Sequence, residues 1–293
     1  MAVLRHDLLY AFRSLLKRPV FTGVIVVTLA LGIGVNTAIF SILNMAMQRA
    51  TPYVDPDELV VLALTQDGEI SHHGMVSYVE IEDFETQSES MEYVIGLHGT
   101  IFNYSGEDGV ERISGAYVSA DFFRMLGVEA AEGRVFRLGE DDPGADCVVI
   151  VSDGFRQRRF AGEQEMVGRT LMLDGVAHTV IGVMPPDFQF LIDMGRAEVW
   201  TTTALDAATF PWRGAARVKA VGRLRTGATI EQATAELETV VARLAQQYPE
   251  IYTGSGIRIE SLKEAVTGQA RAALFLLLGV VGLILLIACA NVA

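Results

Sequence analysis

Two uncharged apolar stretches, residues 19–48 and 272–293, bracket a segment in which apolar and polar positions alternate in short strand-like and helix-like periods. A hydrocarbon core of about 30 Å takes about 20 apolar residues at a helical rise of about 1.5 Å each, so both stretches are long enough to cross it. Gly23 to Asn44 carries none of the charged side chains that a soluble amphipathic helix would place on its wet face. Ahead of the first stretch, Leu4, Leu8, Phe12 and Leu15 recur at nearly helical spacing, with Arg5, Arg13 and Lys17 on other faces. Residues 1–18 are therefore predicted as an amphipathic helix lying in the headgroup region. Ala30, Gly34 and Ala38 form a small-residue series that admits a neighbouring helix, and Asn36 and Asn291 are expected to face protein rather than lipid.

Between the stretches, residues 49–271 read as one α+β domain. The run Leu59–Leu64 predicts a strand. Ser77 and Glu80 make a capping box ahead of a helix with Tyr78, Ile81 and Phe84 on one face. Strands follow at EYVIGLH and ERISGAYV, and Ser119 or Asp121 is expected to cap a short helix that stops at Gly127. A strand-rich insertion then runs from about Gly133 to Pro211, with a strand at CVVIV and a helix at GFRQRRF. Asp174-Gly175 between two alternating runs signals a hairpin. From Arg217 the first texture returns. The strand VKAVGRL leads to a second capping box, Thr229 with Gln232, and a helix burying Ala233, Leu237, Val240, Val241 and Leu244. Tyr248-Pro249 ends that helix, and IRIESL is the last strand.

Charge orients the chain. Arg5, Arg13, Lys17 and Arg18 stand before the first stretch against Asp7, whereas Arg49 beyond it meets Asp55, Asp57, Glu58 and Asp67. Lys and Arg favour the cytoplasm, so the N-terminus is predicted inside and the large domain outside. A cleaved signal peptide has an apolar region of about 7–15 residues, shorter than this one. All but one of the 36 acidic and all but four of the 23 basic residues lie between Arg49 and Arg271, which leaves that segment a net charge of −16. Nucleic acid, bound through Lys and Arg, is thereby excluded as an expected ligand. No hydrophilic residue follows the second stretch, so the chain is read as the N-terminal part of a longer protein.

Candidate chemistry is sparse, and no catalytic, cofactor-binding or metal-binding residue is assigned. Lys17, Lys219 and Lys263 are the only lysines and none follows a glycine, so the phosphate-binding loop of a nucleotide hydrolase is missing. His72 and His73 are adjacent and lack a second histidine at ligand spacing; His6 and His98 stand alone, and His178 is expected as an exposed polar residue on its hairpin strand. Cys147 opens the strand CVVIV and is expected as a small core hydrophobe, while Cys289 lies in the second stretch. No serine sits in a nucleophile elbow. Glu80, Glu82, Asp83 and Glu85 are predicted as the wet side of their helix, and Arg156, Arg158 and Arg159 as a solvated face.

The sequence resembles the start of MacB/FtsX-type ABC transporter permeases, in particular the duplicated orphan group. The likeness rests on DLLYAFRSLLKRPVFTGVIVVTLALGIGVNTAIFSILN, PYVDPDELV, EGRVF, VGRTLMLDGVAHTVIGVMP, LRTGATIEQATAELETVVARL and ACANVA. It implies a MacB-like periplasmic core domain with a porter-like part of strand–helix–strand units, placed at 58–132 and 216–263, around an inserted lobe at 133–212. It also implies an ATP-binding cassette ATPase as partner, a second permease copy or half, membrane lipid and, as a further candidate, a periplasmic adaptor. Family members export macrolides or peptides, extract lipoproteins or regulate cell-wall hydrolases, and carry at least four spans. This chain has two, so it is expected to be inactive alone. The resulting fold class is two transmembrane helices flanking an α+β extracytoplasmic domain. A two-span receptor with an outer ligand-binding domain is the alternative that topology also permits.

Overall fold

The computed structural model describes residues 53–106, 109–160, 165–186, 188–190 and 197–266, with Gly34, Gly268, Gly279 and Leu283 as isolated helical positions. The N-terminal amphipathic segment and both apolar stretches lie outside the described residues, apart from those isolated positions. Among the described residues no helix is long and apolar enough to cross a membrane.

Strand β1, Leu59–Gln66, is buried along seven of its eight residues. An uninterrupted apolar run has no wet face to offer, so both faces of the strand must be covered. Val60, Leu62 and Leu64 join one core cluster and Leu59 and Val61 another, on opposite faces. Beyond β1 come the short β2, Glu69–Ile70, and β3, Met75–Val76. Helix α1, Tyr78–Gln87, opens with the predicted capping box. Glu80 N–H donates to Ser77 Oγ at 3.3 Å, and Ser77 N–H donates back to Glu80 Oε2 at 2.6 Å.

A sixteen-residue strand, β4 (Met91–Gly106), pairs with β5 (Gly109–Val118) over ten residues. Helix α2, Phe122–Leu126, ends at Gly127 with φ 68°. Its start differs from expectation, because neither Ser119 nor Asp121 caps it through a side chain. The Ser119 hydroxyl instead accepts from Gly96 N–H at 3.0 Å, fixing the helix to β4. The sequence continues through β6 (Glu132–Gly133), β7 (Val148–Val151), α3 (Asp153–Phe160), β8 (Thr170–Leu173), β9 (Val176–Val183), β10 (Val199–Thr202) and α4 (Ala204–Thr209). It closes with β11 (Val218–Leu224), α5 (Ile230–Gln247), α6 (Pro249–Tyr252) and β12 (Ser255–Ser261).

These strands form one sheet of order β12-β1-β11-β4-β5-β10-β7-β9-β6. At one side, β1–α1–β4 and β11–α5–β12 are two interleaved strand–helix–strand units, each with one strand of the other between its own two. That is the split βαβ arrangement. α1 and α5 cover one face of it, and the five apolar residues predicted for α5 are its five buried ones. Burying each Leu or Val of that stripe contributes about 1.5–3 kcal/mol. Strands β5 to β10 extend the same sheet, and α3 covers their corresponding face through Phe155. The opposite face carries a single cluster running from Leu59 and Val221 to Ile150 and Trp200. α2 and Phe188–Phe190 close over it.

Asp174 and Gly175 have φ of 48° and 80° and join β8 to β9 as a two-residue loop of primed type, as the dipeptide predicts. The same structure corrects two other expectations nearby. His178 is 2 % exposed rather than a surface residue: its Nδ1 lies 3.0 Å from the Val176 carbonyl and its Nε2 is enclosed without a partner. Cys147 is only half-buried, since the strand begins one residue later at Val148.

Candidate functional site

The two ends of the domain meet. β1 and β12 are antiparallel neighbours with Val60 opposite Ser261, so the incoming and outgoing chain lie side by side at one end of the sheet. Such partners have Cα atoms about 5 Å apart. Any element attached before Tyr53 and any attached after Leu262 therefore act on adjacent strands.

One side chain grips the incoming segment. Arg223 stands in β11 opposite Leu59 of β1 and Tyr93 of β4, beside a register shift, and is 6 % exposed. Its Nε donates to the Met125 carbonyl at 2.8 Å, Nη2 to the Val54 carbonyl at 2.6 Å, and Nη1 to the Asp55 carbonyl at 3.3 Å and Glu58 Oε2 at 3.0 Å. A guanidinium offers five N–H donors in a rigid fork, and only arginine can hold three chain segments in this way. A buried charge without such partners would be strongly unfavourable.

Around that grip the backbone is shaped to fit. Asp55 takes φ 43°, Pro56 begins a single 3-10 turn, and Glu58 N–H donates to the Asp55 carbonyl at 3.0 Å. Val54 N–H donates to the Leu126 carbonyl at 3.1 Å, and Gly127 admits Val54, whose Cγ2 would lie 2.5 Å from any Cβ there. The Tyr53 hydroxyl donates to the Gln189 carbonyl at 2.6 Å, and its ring packs 5.9 Å from Phe190. Burial raises the Tyr53 phenol above its ordinary range, so it remains a donor. On the outgoing side Leu262 and Ala265 pack on the same core cluster, and Ser261 Oγ accepts from Glu264 N–H at 3.2 Å.

The opposite end of the sheet is braced by polar struts rather than by chemistry. Asp206, buried, accepts from the Tyr78 hydroxyl at 2.5 Å and from Arg217 through both of its oxygens, while Arg217 lies 4.7 Å over the Phe210 ring. Burial and the Asp206 carboxylate together push the Tyr78 phenol well above its ordinary range. Glu80 is 2 % exposed and accepts from the Tyr252 hydroxyl as well as from its cap, and Asp83 pairs with Arg213. The expectation of a uniformly wet acidic face on α1 is therefore corrected at these two positions, because α1 meets Tyr252 of the chain leaving α5 and Arg213 of the connection between α4 and β11. Back at the Arg223 end, where β4 begins, Glu236 gathers four donors from Ser88, Glu89 and Ser90. Desolvation opposes its charge, but those hydrogen bonds prevail and hold its carboxyl below the usual range.

The arginines of α3 stay in contact with solvent, as expected, and each also has a carboxylate partner. Arg156 pairs with Glu132 and Asp153, Arg158 with Glu198 and Arg159 with Glu111, joining α3 to β5, β6 and the start of β10. The His73 carbonyl accepts from the Lys219 ammonium. Among the described residues no three His, Cys, Asp or Glu stand close enough to hold a metal ion. Arg223 escaped the sequence reading, although one signal was available: a charge inside the otherwise apolar run VKAVGRL must find buried partners.

Residues 22–240 match the family described as the MacB-like periplasmic core domain. The chain is similar to the macrolide export ATP-binding/permease protein MacB of Chromobacterium violaceum, 40% identical over 67 residues, 23% of this chain. It is also similar to MacB of Hahella chejuensis, 32% identical over 83 residues, 28% of this chain. The matched segments span only 10% and 12% of the length of those relatives. Among solved structures, the periplasmic region of MacB from Actinobacillus actinomycetemcomitans aligns with TM-score 0.52 and 10% identity, over 77% of this chain and 98% of that one. The extracellular domain of the noncanonic ABC-type transporter YknZ from Gram-positive bacteria aligns with TM-score 0.51 and 12% identity, over 68% and 99%. At such identities the likeness establishes the fold.

Proposed function

The chain belongs to the MacB-like periplasmic core domain family, within the MacB/FtsX-type permeases, and we propose that it works as the mechanical outer part of an ABC-type export or mechanotransmission system. In this reading the porter-like part is 58–132 with 216–263 and the lobe 133–212. The domain is extracytoplasmic, residues 19–48 and 272–293 are its spans, and residues 1–18 lie against the inner face of the membrane. A partner ATPase hydrolyses ATP, a second permease copy or half completes the transport unit, and the protein itself is not an enzyme.

The observation that carries the reading is the adjacency of the incoming and outgoing strands, with the incoming one gripped by Arg223. Two spans attached at neighbouring strands can push or turn the whole sheet, because a hydrogen-bonded, close-packed domain moves as a body rather than yielding locally. The substrate is left open, since a mechanical domain requires no substrate pocket.

Cysteine accessibility tests the placement. In a background with Cys147 and Cys289 replaced by serine, Asp67→Cys sits in the exposed turn between β1 and β2, at the far end of the sheet from Leu59. In intact cells a membrane-impermeant maleimide is expected to label it. Labelling only after the inner membrane is opened would place the domain in the cytoplasm and end the proposal.

A further inference from the structure

The incoming chain holds two different parts of the domain. Arg223 of β11 binds the Val54 and Asp55 carbonyls and the Glu58 carboxylate, whereas Tyr53, one residue earlier, reaches the connection between β9 and β10. There its hydroxyl donates to the Gln189 carbonyl at 2.6 Å, across 136 positions of sequence, and its ring stands 5.9 Å from Phe190. Tyr53 is 7 % exposed. A buried phenol needs such an acceptor, and phenylalanine would fill the same space without making the bond.

Residues 188–190 join no strand and act as a cover. Phe190 meets Phe122 of α2 at 5.1 Å, and Phe188 meets Phe123 of α2 at 5.5 Å and Trp200 of β10 at 5.4 Å. The Phe188 N–H donates to the Pro185 carbonyl at 3.0 Å, closing a local turn. Rings, a turn and the Tyr53 hydroxyl thus position a segment that no ladder fixes. Beneath it Trp200 is buried with its indole N–H enclosed, so exchange of that proton with solvent waits for the cover to open.

We infer that Tyr53 is a positioning residue that ties this cover to the incoming chain, so that a displacement entering at residues 53–58 reaches the lobe at 133–212 directly as well as through the sheet. Its use in transport rests on the mechanical reading above. The tie itself is a property of the domain and is tested without an ATPase, so its failure would leave that reading standing.

In the full chain in micelles, deuterium exchange at the Trp200 indole N–H measures opening of the cover. The Val149 amide, in β7 between β9 and β10, measures opening of the sheet, so the ratio of the two rates separates a local effect from a general loss of stability. Trp212, the other tryptophan, is exposed and does not interfere. Tyr53→Phe is expected to raise the ratio about fivefold, as the loss of one buried hydrogen bond implies. Arg223→Met, which frees the incoming segment without touching the cover, should raise it too. The double variant should then show less than the product of the two single effects, because both act through one tie. Should Arg223→Met fail to fold, Glu58→Gln loosens the same segment more mildly and takes its place. An unchanged ratio in Tyr53→Phe, an unchanged ratio when the incoming segment is loosened, or a double variant equal to the product would each overturn the inference.

Discussion

Arg223 Nη1 lies 3.0 Å from Glu58 Oε2, joining the third strand of the split βαβ unit to the turn through which the chain enters it. The pair is unequal in burial, with the guanidinium enclosed and the carboxylate partly open. The arginine is therefore the partner whose loss matters more. Arg223→Met removes four donated hydrogen bonds and leaves three backbone carbonyls to find others. A loss of about 3 kcal/mol in unfolding free energy is expected, together with faster hydrogen exchange at Val54 and Glu58. Glu58→Gln should cost under about 1 kcal/mol, because its site is half solvated. Urea unfolding of the two variants checks the order.

His178 gives the domain an acid-sensitive point. Burial, which outweighs the hydrogen bond to the Val176 carbonyl and the nearby Asp174 charge, lowers its pKa below the ordinary 6.5. The unfolded chain then binds the proton more readily than the folded one, so this contribution to stability is complete above about pH 6.5. It is lost as the pH falls from there through the lowered folded value. His178→Leu is expected to flatten the dependence of Tm on pH between 7 and 5. An equally steep profile in the variant would exclude His178 as its source.

The Tyr252 hydroxyl donates to a carboxylate inside the core, where Glu80 has, among the described residues, its own cap as the further partner. Tyr252→Phe should cost about 1.5–3 kcal/mol, the range for a hydrogen bond to a charged group. Ser77→Ala, which removes the other side of the cap, should cost about 1 kcal/mol. The Ser77 hydroxyl accepts from the Glu80 backbone N–H while Tyr252 donates to the Glu80 carboxylate, so both variants loosen the same residue; the double variant is expected to depart from additivity, and a double-mutant cycle measures by how much.

Gly175 carries φ 80° in the β8–β9 loop, and Asp174 Oδ1 accepts from Asn103 N–H and Asn103 Nδ2 of β4. Gly175→Ala places a Cβ in the left-handed region at a cost of about 1–2 kcal/mol. Asp174→Ala should cost less and should loosen β8 from β4, which pair only at Tyr104 and Ser105. Amide exchange at Met172 and Leu173 checks this.

Local rules made much of this domain legible from its sequence. Both capping boxes, the primed hairpin loop and the buried stripe of α5 each depend on residues within a few positions of one another, and each stands where the pattern put it. What failed depends on chain neighbours far away. The partners of the α3 arginines, Glu111, Glu132 and Glu198, are brought to them by β5, β6 and the start of β10. His178 sits on an alternating strand, but its inward position is fixed by the register of β8 against β9 and by the strands beyond. Arg223 reaches residues up to 169 positions away, a distance over which no periodicity carries information.

ATP hydrolysis by the full-length permease with its ATPase partner, reconstituted in lipid nanodiscs, tests the mechanical account most directly. The wild-type complex should hydrolyse ATP faster than the ATPase alone, and ATP should alter hydrogen exchange at residues 53–58. In Arg223→Met hydrolysis should persist while the exchange response in the outer domain is lost. An ATPase rate indifferent to the permease, or an outer domain whose exchange is unchanged by ATP in the wild type, would contradict it.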